Sequence, residues 1–258
     1  WIQHIIMNSI LITVRTGSTR LPKKALIEIN GKPTIEYLIE RVKQSKFANN
    51  IILCTTKLPE DDILCKLAQK NNIKYYRGSS EDKLNRWLGA CNQFDIDFFV
   101  TADGDDLFCE HTLIDLAFSQ YKKYNPDFIK APGVICGAFT YGIKTSALEK
   151  VCQIKDSKNT EMHWVYFEET GLFNVHHLQN IPHEYIRSDI RMTLDYPDDL
   201  KFFTNIINNF GTQNFGLDEI IHYINNNANV AKINLYLEKQ WSINQKENID
   251  LKIKENNG

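Results

Sequence analysis

The 258-residue chain contains no apolar run approaching the roughly 18 residues that a membrane-spanning helix needs. Its longest apolar stretch, WIQHIIMNSILITV at the start, has neither the basic n-region nor the small-residue cleavage site of a signal peptide. It reads as a short leader, with Met7 a candidate start, before a buried strand Ser9–Val14. The six cysteines, at 54, 65, 91, 109, 136 and 152, form no CxxC pair and no tight cluster. That excludes a zinc module built on paired ligands and a disulfide scaffold, and leaves reduced cysteines packed as small hydrophobes in a cytoplasmic protein. Neither sign of charge is in excess: 30 Lys and Arg stand against 32 Asp and Glu. The basic surplus of a dedicated nucleic-acid binder is therefore missing. Internal repeats and Ser/Pro/Gly linkers are missing too. What is present, 43% hydrophobic and 24% charged residues, suffices to bury a core.

Apolar periodicity switches regularly between short runs and helical spacing. Strands are expected at Ser9–Val14, Ile51–Thr55, Ile73–Tyr76, Asp97–Thr101 and Asp127–Ala131. Helices are expected from Pro33, with Ile35, Leu38, Ile39 and Val42 on one face, then over Pro59–Lys70, where Glu60, Asp61 and Asp62 complement the dipole in the first turn, and over Ser80–Gln93 and Thr112–Tyr124. This order predicts an α/β fold, an open and mostly parallel sheet with helices on both faces. The regularity weakens after residue 131, where Gly133, Gly137 and Gly142 interrupt short extended pieces. A late strand, Ile190–Leu194, and helices Pro197–Asn209 and Leu217–Asn226 follow. One domain is expected: a nucleotide-binding part over 9–125, a small inserted β-rich region over 126–190 facing the acceptor or a partner subunit, a return to the core over 190–245, and a flexible tail over 246–258.

Open parallel sheets bind ligands at the carboxyl ends of their strands, which directs attention to the loops after Val14, Thr101 and Leu194. The first reads Arg15-Thr-Gly-Ser-Thr-Arg-Leu-Pro-Lys-Lys24. Gly17 and Ser18 can turn backbone N–H groups toward anionic oxygens, Arg15 and Arg20 supply planar forks, and Lys24 supplies a point charge. This is a phosphate grip, but neither a Walker loop nor a dinucleotide fingerprint, since both glycine patterns are absent.

VRTGSTRLPKKAL resembles the signature A-R-x-x-S-x-R-L-P-x-K-x-L of the cytidylyltransferases that activate sugar acids. That family includes the 3-deoxy-manno-octulosonate (KDO) and N-acylneuraminate enzymes and a spore-coat-polysaccharide, SpsF-like branch. Gly31-Lys32-Pro33, Thr55-Thr56, Arg77-Gly78-Ser79, Gly104-Asp105 and Asp195-Tyr-Pro-Asp-Asp199 keep the family's order, so the resemblance runs from residue 9 to about 225. The chain departs from the pattern with Val14 in place of Ala and Lys23 in place of Gly.

The resemblance implies a Rossmann-like, GT-A-type nucleotidyltransferase fold, a homodimer, CTP as donor and a small acidic sugar as acceptor, with no nucleic-acid or membrane partner. It implies a nucleotide site formed by Arg15, Gly17, Ser18, Lys24, Arg77 and Ser79, with Thr55 a candidate for the same pocket. Ser79 with Asp82 also reads as a helix capping box. The stretch Glu161-Met-His163 resembles the branch's acceptor-facing E-x-H, although core packing is the competing reading of His163. Asp105 and Asp195 match the family's two metal-binding aspartates, and one or two carboxylates with substrate phosphates are how Mg²⁺, or Mn²⁺ in its place, is usually held. Asp198 and Asp199 read as first-turn acids that complement a helix dipole. Catalysis would fall to Arg15, Arg20, Lys24, Asp105 and Asp195 in CMP transfer with release of pyrophosphate, for surface glycan synthesis. Cytidylyl transfer to a phosphonate or phosphorylated alcohol, and a metal-dependent glycosyltransferase using Asp103-Gly-Asp105 as D-x-D, remain as alternatives.

Overall fold

Ser9–Thr13 is apolar and β-branched with little polar alternation, the pattern of a strand covered on both faces. In the computed structural model, which describes residues 6–254, it lies inside the sheet as β1 (Asn8–Thr13). Ile10 and Ile12 point into one core and Leu11 into a second on the opposite face. There follow a small hairpin of β2 (Glu28–Ile29) and β3 (Lys32–Pro33), then α1 (Thr34–Val42), β4 (Asn50–Thr56), α2 (Asp62–Lys70) and β5 (Lys74–Gly78). After these come α3 (Lys83–Phe94), β6 (Phe98–Asp103), α4 (His111–Tyr124), β7 (Phe128–Lys130) and β8 (Tyr141–Lys144). The chain continues through α5 (Thr145–Ile154), a short α6 (Trp164–Glu168), β9 (Val175–His177), α7 (Pro197–Phe210), α8 (Leu217–Asn226) and α9 (Leu237–Glu247).

The main sheet has the order β5-β4-β1-β6-β8-β7-β9. β1, β4, β5 and β6 are mutually parallel, β8 runs antiparallel to β6 and β7, and β9 is parallel to β7. The expected architecture is therefore present: α1, α2, α4, α7 and α8 cover one face, and α3, α5 and α6 the other. The stretch after residue 126 supplies the far edge of the sheet through β7, β8 and β9. It is not β-rich as expected, since α5 and α6 make up more of it than the three short strands. No helix among the described residues is long and apolar enough to cross a membrane.

Three further expectations are corrected. Ile190–Leu194 is extended but is not a strand of the sheet, because β8 already occupies the place beside β6. It crosses the carboxyl edge instead, where Met192 and Leu194 donate N–H groups to Cys136 and Asp105, each at 2.9 Å. The helix expected from Ser80 starts at Lys83, with Asp82 as its N-cap accepting from the Asn85 N–H. The tail is docked through residue 254. Ile249 and Leu251 pack on the second core, and Ile253 bridges Lys155 in antiparallel fashion. The first five residues of the proposed leader, and residues 255–258 of the tail, lie outside the described residues.

Candidate active site

Thr13 pairs in register with both Cys54 and Asp103, so β1, β4 and β6 release their loops at one edge. Gly104 lets two of those loops meet: a Cβ there would lie 2.7 Å from the Val14 side chain, and its N–H donates to Thr13 O at 2.8 Å. Gly137, at φ 87°, admits the segment 190–194 to the same edge, since a Cβ there would lie 2.0 Å from Met192 O. The segment 190–194 can then press against the loop after β6, which brings Asp195 beside Asp105.

The loop after β1 is anchored from below. The buried carboxylate of Asp61 accepts the Thr16 N–H at 2.8 Å and the Thr16 hydroxyl at 2.7 Å, and it also accepts the Thr56 hydroxyl. Burial opposes its ionisation, but the hydrogen bonds from Thr56 and Thr16 prevail and hold its carboxyl below the usual range. Above this anchor Ser18 donates its N–H to Thr16 O, which leaves Gly17 with open space around its Cα. Lys23 adopts the left-handed region at φ 53°, and Lys24 O accepts the Thr34 hydroxyl at 2.5 Å. This backbone aims Lys24 inward.

Lys24 Nζ donates to Asp105 at 2.6 Å and to Asp195 at 2.8 Å. Burial alone would lower its pKa, but the two carboxylates outweigh burial and raise it, so the ammonium stays charged. Arg20 donates to the same Asp195 oxygen at 2.8 Å, with its guanidinium over the Tyr196 ring. Burial pushes the Asp195 pKa up, yet Lys24 and Arg20 together hold it below the ordinary carboxyl value. Arg15 pairs with Glu161 at 3.0 Å and donates to Ser80 O at 3.3 Å. Five charged residues named from the sequence, with Glu161, thus line one edge of the sheet.

The remaining candidates stand back from it. Arg77 braces the turn after β4, donating to Thr56 O and Leu58 O at 2.8 Å and to Asp62. The Ser79 hydroxyl accepts the Glu81 and Asp82 N–H groups, and Thr55 is fully buried. His163 does not reach the surface. Its ring sits edge-on between Trp87 and Tyr141, and burial drives its pKa far down, with the Lys83 charge adding to the effect. Asp103 and Asp105 diverge, the first toward Lys83 at 3.6 Å and the second toward Lys24, which is not the shared-metal geometry of a D-x-D pair.

Two site residues escaped the sequence reading. Asp61, expected only as a first-turn acid of the helix after Pro59, anchors the loop after β1. Lys83 lies at the start of α3, 7% exposed, near Asp103 and over the Trp87 ring. Its signal was available: a lysine in a helix's first turn opposes the dipole and needs an acidic partner. Lys83 is also the largest influence holding the Glu161 carboxyl below its usual range, followed by opposing burial and then by Arg15.

The sequence profile of the cytidylyltransferase family matches residues 9–245. An uncharacterised protein of Methanocaldococcus jannaschii is 31% identical over 228 residues, 87% of this chain and 93% of its own. The spore coat polysaccharide biosynthesis protein SpsF of Bacillus subtilis is 25% identical over 235 residues, 87% of this chain and 98% of its own. Among solved structures, a cytidylyltransferase from Leptospira borgpetersenii superposes with a TM-score of 0.80 at 28% identity, covering 88% of this chain and 97% of its own.

Proposed function

The chain belongs to the cytidylyltransferase family, CTP-dependent nucleotidyltransferases, and we propose that it transfers CMP from CTP to a hydroxyl of a KDO-like or sialic-acid-like sugar, for surface glycan synthesis. The observation that carries this reading is the meeting of Lys24, Asp105 and Asp195 at the mouth of the phosphate loop. In the reaction an acceptor hydroxyl oxygen bonds to the α-phosphorus and gives up its proton to water, the bond from that phosphorus to the bridging oxygen breaks, and pyrophosphate departs with that oxygen. Such transfers ask little covalent work of a protein; positioning and charge neutralisation dominate. The Gly17 N–H and Arg15 would hold the phosphates, the Ser18 N–H being turned back to Thr16 O instead of outward as expected, and Lys24 and Arg20 would neutralise charge as pyrophosphate forms.

A divalent cation fits this donor set. Two carboxylates from separate segments already converge on one cationic group, and two carboxylates with substrate phosphates are how magnesium is commonly held. No cluster of three or more His, Cys, Asp or Glu suited to a metal occurs among the described residues, so the phosphates would have to complete the set. Held by Asp105 and Asp195, Mg²⁺ or Mn²⁺ would act as a Lewis acid on the α-phosphate and lower the pKa of the acceptor hydroxyl.

An acidic acceptor is supported by the cationic surroundings of Glu161, whose carboxyl Lys83 and Arg86 act on in addition to Arg15. The experiment is a matrix of nucleoside triphosphates against sugar acids, neutral sugars and phosphorylated alcohols, scored by pyrophosphate release. The reading predicts turnover with CTP and a 2-keto-3-deoxy sugar acid. Turnover confined to neutral or phosphorylated acceptors would sink the acceptor assignment.

A further inference from the structure

Behind Asp195 lies a second charged assembly that the transfer above does not use. Arg191 is 0% exposed, and a guanidinium removed from water persists only where carboxylates and acceptors surround it. Its Nε and Nη2 donate to the two oxygens of Asp199 at 3.0 and 3.3 Å, and its Nη1 donates to Glu238 of α9 at 2.9 Å. Trp241, also on α9, places its ring centre 5.2 Å from the guanidinium carbon. Asp199 is equally buried. Its Oδ2 accepts the main-chain N–H groups of both Asp195 and Tyr196 at 2.9 Å, and its Oδ1 accepts Asn234 Nδ2 at 2.9 Å.

An acid at the third helical position that reaches back to the N-cap N–H is ordinary capping. Capping explains the bond to Tyr196. It explains neither the bond to Asp195, one residue further out, nor the buried arginine and asparagine that fix the carboxylate's orientation. Stability alone explains the assembly poorly, because well-packed apolar groups commonly serve as well as a buried ion pair. The assembly's reach is specific. Asp195 has its backbone held by Asp199, one carboxylate oxygen facing Lys24 and Arg20, and the other 3.8 Å from Arg191. Since a displacement of about 1 Å at a reacting centre can cost about 100-fold in rate, holding Asp195 on both sides has a kinetic consequence.

We propose that Asp199, oriented by Arg191, is a positioning residue that fixes the Asp195 carboxylate toward Lys24, and that α9 secures Arg191 through Glu238. The inference rests on Asp195 being a site carboxylate, as in the proposed function. The test measures kcat and KM for CTP by pyrophosphate release, Mn²⁺ affinity in the presence of CTP by electron paramagnetic resonance, and the thermal midpoint. The full-length parent, Asp195→Asn, Asp199→Asn and Glu238→Gln are compared. Asp199→Asn is expected to lower kcat about tenfold or more, with KM for CTP within about threefold of the parent, and to weaken Mn²⁺ binding. Glu238→Gln is expected to move both in the same direction by less. If Asp199→Asn does not fold, Glu238→Gln decides alone: reduced kcat and weaker Mn²⁺ binding support the inference, and parental values overturn it. If Asp195→Asn disables the enzyme while the other two variants lose only thermal stability, the inference fails and the functional reading stands. If Asp195→Asn matches the parent, the functional reading fails and takes this inference with it.

Discussion

Asp105 and Asp195, remote in sequence, meet on the same ammonium, that of Lys24, at 2.6 and 2.8 Å. The lysine therefore stands where a cation shared by the two carboxylates would bind. Its removal should have opposite effects on two measurements. Lys24→Met is expected to cut kcat/KM about 100-fold or more, since charge developing on pyrophosphate loses a preorganised partner. The same variant is expected to bind Mn²⁺ more tightly than the parent when no nucleotide is present, as read by electron paramagnetic resonance. Unchanged or weaker metal binding would mean that Lys24 and the metal do not compete.

The left-handed backbone at Lys23, φ 53°, supplies a stability prediction. A side chain with a Cβ costs roughly 1–2 kcal/mol in that conformation, whereas glycine adopts it freely but loses more entropy on folding. Lys23→Gly should leave the urea midpoint unchanged or raise it, and Lys23→Val should cost about 1–3 kcal/mol. A glycine variant clearly less stable than the parent would show that the Lys23 side chain contributes contacts of its own.

His163 gives the protein an acid-sensitive step. Its pKa lies well below the ordinary imidazole value of about 6.5 because it is buried, with Lys83 adding to the effect. The unfolded chain binds a proton there below about pH 6.5 while the folded chain does not, so this contribution is complete above that pH and declines on acidification. In His163→Phe the stability lost between about pH 6.5 and 5 should shrink by about 1–2 kcal/mol relative to the parent. Urea titrations at several pH values decide it, and parallel curves for the two proteins would contradict it.

Much of this was legible in the sequence because it was local. The run Ser9–Thr13 and the apolar spacing of Ile35, Leu38, Ile39 and Val42 specify a strand and a helix by themselves. The charges of the loop after β1 mark it as a candidate anion site from its residues alone. What was not legible depends on who occupies the neighbouring position. Ile190–Leu194 has the composition of a strand, but β8 holds the place beside β6. His163 sits in a motif that suggested an acceptor contact, yet Trp87 and Tyr141 enclose it. Asp61 and Asp199 both read as acids completing a helix dipole, and their second partners, Thr16 and Arg191, come from other segments.

The shared role of Asp105 and Asp195 is tested most directly by pyrophosphate release from CTP across a Mg²⁺ titration, in the parent, Asp105→Asn, Asp195→Asn and the double variant. Asp198→Asn serves as the control, since Asp198 faces Lys201 and Tyr236 on the exposed side of α7. Each single variant is expected to lose about 100-fold or more in kcat/KM, with partial recovery at high Mg²⁺, and the double variant to fall less than about tenfold further because both losses disable one site. Asp198→Asn should stay near the parent. Single variants within about threefold of the parent, or losses that multiply in the double variant, would contradict a site built on the two carboxylates together.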